Sequence, residues 1–291
     1  TKRMLANSVF DALLRRGFWN WLGRLSVYSG ESADNLRCAV SSMLNQTVRP
    51  DQFVVVCDGP LGDDLDTVLS DFVNTDAEGL FDVVRLPKNV GLGRALSAGL
   101  DACRNKYVAR MDSDDIAFLN RCELQLDAVV AHKLQLISGY VLEFAGDTSN
   151  VVSMRKVPAT QEEIVEFSKR RNPFNHPCVM FEKAAVLKAG GYQDLYRLED
   201  YYLWVRMIAD GCRVANVAQP ILYMRSDEGM YGRRGGIAYG VSQMKLLNYM
   251  RSTGYIGIWG FVLMSAVRFV LSIVPTSLRR TIYSKVAREK S

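Results

Sequence analysis

Tyr107-Val-Ala-Arg110-Met111-Asp112-Ser113-Asp114-Asp115 is the stretch whose reading decides the fold: a short strand that runs straight into three carboxylates within four positions. Working outward, the same unit of apolar run, turn and helical pattern recurs on its N-terminal side. Leu25–Tyr28 reads as a first strand, followed by a helical pattern over Asn35–Leu44. Phe53–Cys57 is continuously apolar, as expected of a strand buried on both faces. Asp58-Gly59-Pro60 breaks it before a helical period over Leu61–Val73. Phe81–Leu86 and Gly93–Cys103 repeat the pair, which makes Tyr107–Met111 the fourth strand. Strands alternating with helices predict an α/β fold with a mostly parallel sheet covered on both sides.

Beyond the acidic cluster the rhythm changes. After a helical pattern over Leu119–Ala131, the runs Leu136–Phe144 and Val151–Val157 read as neighbouring strands. Shorter strands follow at Val179–Phe181 and Pro220–Met224, with helices at Ala184–Ala189 and Glu199–Ala209. This half therefore extends the first sheet in a mixed fashion. No Pro- or Ser-rich linker and no internal repeat divides the two, so one domain is expected over residues 22–226. Residues 1–21 form an N-terminal extension rich in Phe, Trp and Arg. Residues 227–291 form a helical C-terminal region: a glycine-arginine loop (Tyr231–Gly236), a helix near Tyr239–Met250, and an apolar tail.

Composition narrows the class. With 291 residues, 48% hydrophobic and 23% charged, the chain is globular, which excludes disorder, collagen and coiled coil. Its six cysteines contain no CxxC pair, which excludes a zinc ribbon or thioredoxin motif and predicts reduced, mostly buried thiols of a cytosolic setting. The first residues lack the layout of a signal peptide. From Arg251 onward there are seven basic residues against one acid, Glu289, so the tail carries +6 of a total of +5 and the body is close to neutral. A nucleic-acid enzyme spreads basic charge over its reading face. Here the charge follows a greasy segment, which points to an anionic membrane surface.

That segment, Ile256–Val274, would span roughly 29 Å as a helix at 1.5 Å per residue, barely the roughly 30 Å of a hydrocarbon core. Arg268 sits within it, and a central arginine costs about 2.5–3.5 kcal/mol even on the lenient insertion scale. Ser265, Arg268, Ser272 and Arg279 recur at helical spacing and give one polar stripe, and Pro275 ends the helix. An in-plane amphipathic helix with cationic support is expected, peripheral to the cytoplasmic face of the membrane.

In open parallel sheets, ligands bind beyond the carboxyl ends of the strands. Ser29, Gly30 and Glu31 follow the first strand, Asp58-Gly59 the second, and the acidic cluster the fourth. Three carboxylates so close repel one another unless a cation or strong donors intervene. Alternate carboxylates on a turn can share a hard divalent ion with phosphate oxygens. Asp115 can alternatively cap the following helix. Glu199-Asp200 opens a helix whose dipole favours an ionised carboxylate, as a general base requires. His176 is either a satisfied loop residue or a contact to a diphosphate, metal or acceptor. Arg170 and Arg171 either reach an acceptor phosphate or form a solvated charge run.

Several motifs occur in order: Leu25-Ser-Val-Tyr28, Gln46-Thr47, Val56-Cys-Asp58-Gly59-Pro60, Asn89-Val-Gly91-Leu-Gly93 and Ala109-Arg110-Met-Asp112-Ser-Asp114-Asp115. Asn172-Pro173-Phe174-Asn175-His176-Pro177 and Leu198-Glu199-Asp200-Tyr-Tyr-Leu-Trp204 continue the series. The set resembles the bacterial inverting family 2 glycosyltransferases, more narrowly those that assemble capsule, exopolysaccharide and O-antigen repeats. The resemblance covers roughly residues 22–226.

It implies a GT-A fold, with a nucleotide-binding sheet, a mixed-sheet acceptor half and a membrane-associated helical tail. It implies a UDP-sugar donor, with Ser29, Glu31, Asp58, Asn89, Arg94 and Asp112 on the nucleotide. Asp114 with Asp112 would hold Mn²⁺ or Mg²⁺. Asp200 would be the base, supported by Glu199, with His176 and Arg171 toward a lipid-linked or oligosaccharide acceptor. Two rivals fare worse. A sugar nucleotidyltransferase needs a glycine-rich, basic loop after the first strand, and Ser29-Gly30-Glu31-Ser32 is not that loop. A catalytically silent nucleotide-binding scaffold has no use for Asp200.

Overall fold

Gln52–Cys57 (β2) is buried at all six positions, and the sheet is organised around it. The computed structural model describes residues 21–226 and 237–273. The N-terminal extension up to residue 20, the Tyr231–Gly236 loop, Pro275 and the basic residues after it lie outside the described residues. β2 lies between β1 (Trp21–Val27) and β3 (Phe81–Arg85), both parallel to it. The other edge of β1 pairs in parallel with β4 (Tyr107–Asp112). The order β3-β2-β1-β4 reverses between β1 and β4, and the crevice outside their carboxyl ends is the switch point where open α/β sheets bind ligands.

The crossovers are α1 (Ala33–Leu44), α2 (Asp63–Asn74) and α3 (Leu92–Ala102). α1 buries Leu36, Ala39, Val40 and Met43, the i, i+3, i+4, i+7 stripe of a helix lying on a sheet. One apolar cluster joins α1 and α2 to one face of the sheet, around Leu25, Phe53 and Met111. A second joins α3 to the opposite face, around Val54, Val56 and Val108.

The later half contains β5 (Ile116–Ala117), α4 (Arg121–His132), β6 (Leu136–Phe144), β7 (Val151–Arg155) and α5 (Gln161–Ser168). It continues with β8 (Met180–Glu182), α6 (Lys183–Lys188), α7 (Glu199–Ala209) and β9 (Val214–Arg225). β8 runs antiparallel to β4 and β6, and β9 runs parallel to β6, which completes a mixed sheet of nine strands among the described residues. Two differences from the sequence reading have physical causes. β9 begins at Val214 rather than Pro220, because the register with β6 jumps from Val217 to Pro220. A proline that cannot donate to the ladder is absorbed there as a bulge. α5, which the apolar pattern did not reveal, is closed by a reciprocal capping box between Thr160 and Glu163.

The described residues end on two helices, α8 (Ile237–Ser252) and α9 (Ile258–Ile273). Leu246, Leu247 and Met250 of α8 pack with Leu198, Tyr201 and Val205, and Phe261 and Met264 of α9 join them. Among the described residues no helix is long and apolar enough to cross a membrane. α9 thus rests on the body by one side. Ile258, Trp259, Val262, Leu263 and Val267 remain exposed. Arg268, on the polar stripe read from the sequence, turns toward the body, to Gln243 Oε1 and the Arg170 carbonyl. Cys57, Cys103, Cys122 and Cys178 are buried free thiols.

Candidate active site

Side chains alternate along a strand, so Arg110 and Asp112 share one side of β4. Arg110 is buried and grips Asp112 with two guanidinium nitrogens, Nη1 at 3.0 Å from Oδ2. The Arg110 carbonyl in turn accepts from Arg121 Nη2 at 2.6 Å. Asp112 is therefore held rigidly at the strand end.

Asp115 is fully buried; its Oδ1 accepts the Arg225 N–H at 2.9 Å, and its Oδ2 has no hydrogen-bond partner. It does not cap the following helix: α4 starts at Arg121 behind Asn120, with β5 between. Ser113 donates to Glu31 Oε2 at 2.8 Å, tying this turn to the loop after β1. Burial, then Asp112 and Glu31, push the Asp114 carboxyl up to about 7. Burial with Asp112 and Asp114 holds Asp115 well above the carboxylate range.

Carboxylate oxygens of Asp112, Asp114 and Asp115 lie within 4.8 Å of one another. An orphaned buried oxygen among clustered hard donors fits Mn²⁺ or Mg²⁺, since a divalent cation offsets the mutual repulsion of three carboxylates held this close.

Asp58 closes the next loop. Its Oδ1 accepts the Val90 N–H at 2.7 Å and its Oδ2 the Gly91 N–H at 3.2 Å. Asn89 Oδ1 accepts the same Gly91 N–H. Gly59 has φ +94°, and a Cβ there would stand 2.7 Å from the Asn89 nitrogen. The Asp58-Gly59 and Asn89–Gly91 turns thus interlock. Arg94 lies on the exposed side of α3, 3.5 Å from Asp194. Ser29 and Glu31 line a cleft of about 630 Å³ with Asp34, Asp63 and Asp64.

Glu199 and Asp200 part company. Asp200 lines a cleft of about 560 Å³ together with Asp112, Arg171 and His176. Asn172 Nδ2 donates to Asp200 Oδ2 at 2.7 Å. Glu199 instead packs beside Gly93, where a Cβ would lie 3.2 Å from its Cγ, and burial raises its carboxyl. Glu199 is not among the residues that line the Asp200 cleft.

His176 opens a 3₁₀ turn (His176–Cys178), with Nε2 3.2 Å from the Tyr192 hydroxyl and its ring against Trp204. Burial, with Arg110 and Arg24, holds its pKa well below 6.5, so it stays neutral. Arg171 stacks its guanidinium over Phe167. Arg110 and Asn172, which hold Asp112 and Asp200, stand in the motif strings of the sequence without a role assigned to them there. For Arg110 the strand period held the signal.

Polar groups gathered at the switch point of this mixed sheet place the chain in the GT-A-like class of α/β folds. It aligns with S. aureus TarS 1-349 in complex with UDP-GlcNAc at a TM-score of 0.59 and 15% identity, over 91% of this chain and 71% of that one. The model of glycosyl transferase family 2 matches residues 27–194, and the chain belongs to that family. A UDP-Gal:alpha-D-GlcNAc-diphosphoundecaprenol beta-1,3-galactosyltransferase of Escherichia coli is 35% identical over 91% of this chain and 95% of its own length. The amylovoran biosynthesis glycosyltransferase AmsE of Erwinia amylovora is 34% identical over 90% and 97%. The protein is a glycosyltransferase enzyme.

Proposed function

We propose that the enzyme transfers a sugar, with inversion, from a UDP-sugar to a lipid-diphosphate-linked saccharide during bacterial surface polysaccharide synthesis. The observation that carries this reading is that Asp112, at the end of β4, and Asp200, in the first turn of α7, face one cleft. The E. coli relative's diphosphoundecaprenol acceptor and UDP-Gal donor support it.

Asp58, Asn89, Arg94, Ser29 and Glu31 border the nucleotide side, with Asp58 accepting a hydrogen bond from the uracil. Asp112 and Asp114, backed by Asp115, would hold Mn²⁺ or Mg²⁺, which supplies Lewis-acid stabilisation of the departing diphosphate. Asp200 removes the proton from the acceptor hydroxyl as that oxygen attacks the anomeric carbon, and UDP leaves from the opposite face. Single displacement needs only this base. Neutral His176 offers a hydrogen bond to the acceptor, and Arg171 a charge.

The enzyme works at the cytoplasmic membrane face, bound peripherally. The exposed apolar row of α9 and the basic tail after it support binding to anionic lipid. The test is UDP release from UDP-sugars with Mn²⁺, with and without a lipid-diphosphate-linked N-acetylhexosamine. Release that requires the acceptor is expected; absence of any acceptor-dependent release across the common UDP-hexoses would overturn the reading.

A further inference from the structure

The cleft of Asp200 is lined by more cationic than anionic side chains. Arg155, Arg170, Arg171, Arg197 and Arg268 line it, against the carboxylates of Asp112 and Asp200. Arg170 is held by Glu166 on the helix side. The other four guanidiniums come from the end of β7, the segment after α5, the segment before α7, and α9. Four separate parts of the chain converge, which a solvated charge run on one helix does not do.

Two of them are built in. Arg197 has φ +60°, a left-handed conformation that is strained for a side-chain-bearing residue and clusters at ligand sites. The other described non-glycine residue with positive φ, Lys133, merely ends α4. Arg268 is anchored by Gln243 and the Arg170 carbonyl. Beside it, Met264 of α9 and Met224 of β9 give the same cleft an apolar wall.

We infer that Arg155, Arg197 and Arg268, together with Arg171, form a subsite for the diphosphate of a polyprenyl-type acceptor, whose first hydrocarbon units lie against Met264. This rests on the acceptor class given under Proposed function. Planar guanidinium forks match phosphate oxygens bidentately. The donor diphosphate has a different station, the acidic turn, whose carboxylates repel an anion unless a cation intervenes. α9 then has two jobs on two sides: Arg268 toward the diphosphate, Trp259 and Leu263 toward the surroundings. A lipid tail leaving the cleft past α9 would emerge beside that apolar row.

The experiment titrates the full-length enzyme, with UDP and Mn²⁺ present, with farnesyl diphosphate and with farnesol by calorimetry. Wild type should bind farnesyl diphosphate, and Arg268→Gln and Arg197→Gln should each weaken it roughly tenfold or more, as loss of a charged hydrogen bond does. Farnesol binding and UDP affinity should be unchanged. Arg268→Lys, which keeps the charge and loses the fork, should fall between, and it serves if Arg268→Gln does not fold. Unaltered binding by the variants, no binding by wild type, or equal loss for farnesol would overturn the subsite. Displacement of the probe by excess UDP would assign the arginines to the donor and also overturn it. Acceptor-dependent UDP release by wild type is measured separately, so the subsite can fail while the transferase reading stands.

Discussion

Asn172 donates its side-chain N–H to Asp200 across 2.7 Å, and its own Oδ1 accepts the Phe174 N–H at 3.2 Å. The amide is thus fixed at both ends and orients the Asp200 carboxylate. Asp200→Asn should lower kcat by about 10²-fold or more, the usual worth of a general base, with UDP affinity intact. Asn172→Ala should lower kcat by roughly tenfold while the UDP-sugar KM holds, because a misaimed base loses alignment rather than donor binding. Steady-state kinetics with both substrates varied separates these effects. A Glu199→Gln variant that loses as much kcat as Asp200→Asn would move the base to Glu199.

Gly59 carries the second prediction. Its φ of +94° and the 2.7 Å approach to Asn89 leave no room for a methyl group. Gly59→Ala must push away the turn whose N–H groups Asp58 accepts. A cost of about 1–2 kcal/mol from the left-handed backbone alone corresponds to a Tm lower by roughly 2–8 °C in a domain of this size. UDP affinity should fall with it. A thermal melt and a UDP titration check both, and Gly79→Ala, at φ +65° with open space around its Cβ, controls for backbone strain without the clash.

The acidic turn sets a pH dependence. In the metal-free protein Asp114 is pushed up to about 7, above its ordinary 3.8. The folded state therefore binds more protons than the unfolded chain between those values, so stability falls as pH rises from about 4 to about 7. Metal requires the ionised form. The Tm gain from Mn²⁺ should accordingly be small at pH 5.5 and larger at pH 8, and Asp114→Asn should remove most of that difference. Differential scanning fluorimetry at both pH values, with and without Mn²⁺, decides it; a pH-independent Mn²⁺ gain would separate the ion from this turn.

Those three predictions draw on regions of unequal legibility. β2 was readable because burial on both faces makes a strand continuously apolar, and the Asp58, Asp112 and Asp114 positions followed from strand ends. The Arg110–Asp112 pair was readable in principle, since residues two apart in a strand share a side. So was the Thr160–Glu163 capping box that starts α5. Which of Glu199 and Asp200 faces the cleft depends on where α7 packs, and the sequence does not show that. Arg155, Arg197 and Arg268 are far apart in sequence, and only tertiary packing brings them together. Arg268 shows the limit clearly: helical spacing put it on a polar stripe, but only the fold shows that this stripe rotates into the cleft.

That rotation changes how membrane binding must be tested. Removing α9 would take away Arg268 and Met264 along with the outer face, so a truncation cannot tell surface binding from acceptor binding. Substitutions on the outer face can. Trp259 is 82% exposed and Leu263 64% exposed, and at four residues apart they stand one turn above the other. The described part of α9 spans about 24 Å for 16 residues at a rise of 1.5 Å per residue. Burying a Trp or Leu side chain there contributes roughly 1.5–3 kcal/mol each. Trp259→Ser with Leu263→Ser should therefore weaken co-sedimentation with anionic phosphatidylglycerol vesicles by at least about tenfold, while UDP and farnesyl diphosphate affinities in detergent stay at wild-type values. Raising salt should weaken wild-type binding only in part, because screening acts on the basic tail and leaves apolar burial in place. If the double variant sediments as wild type does, the outer face of α9 is not the membrane contact.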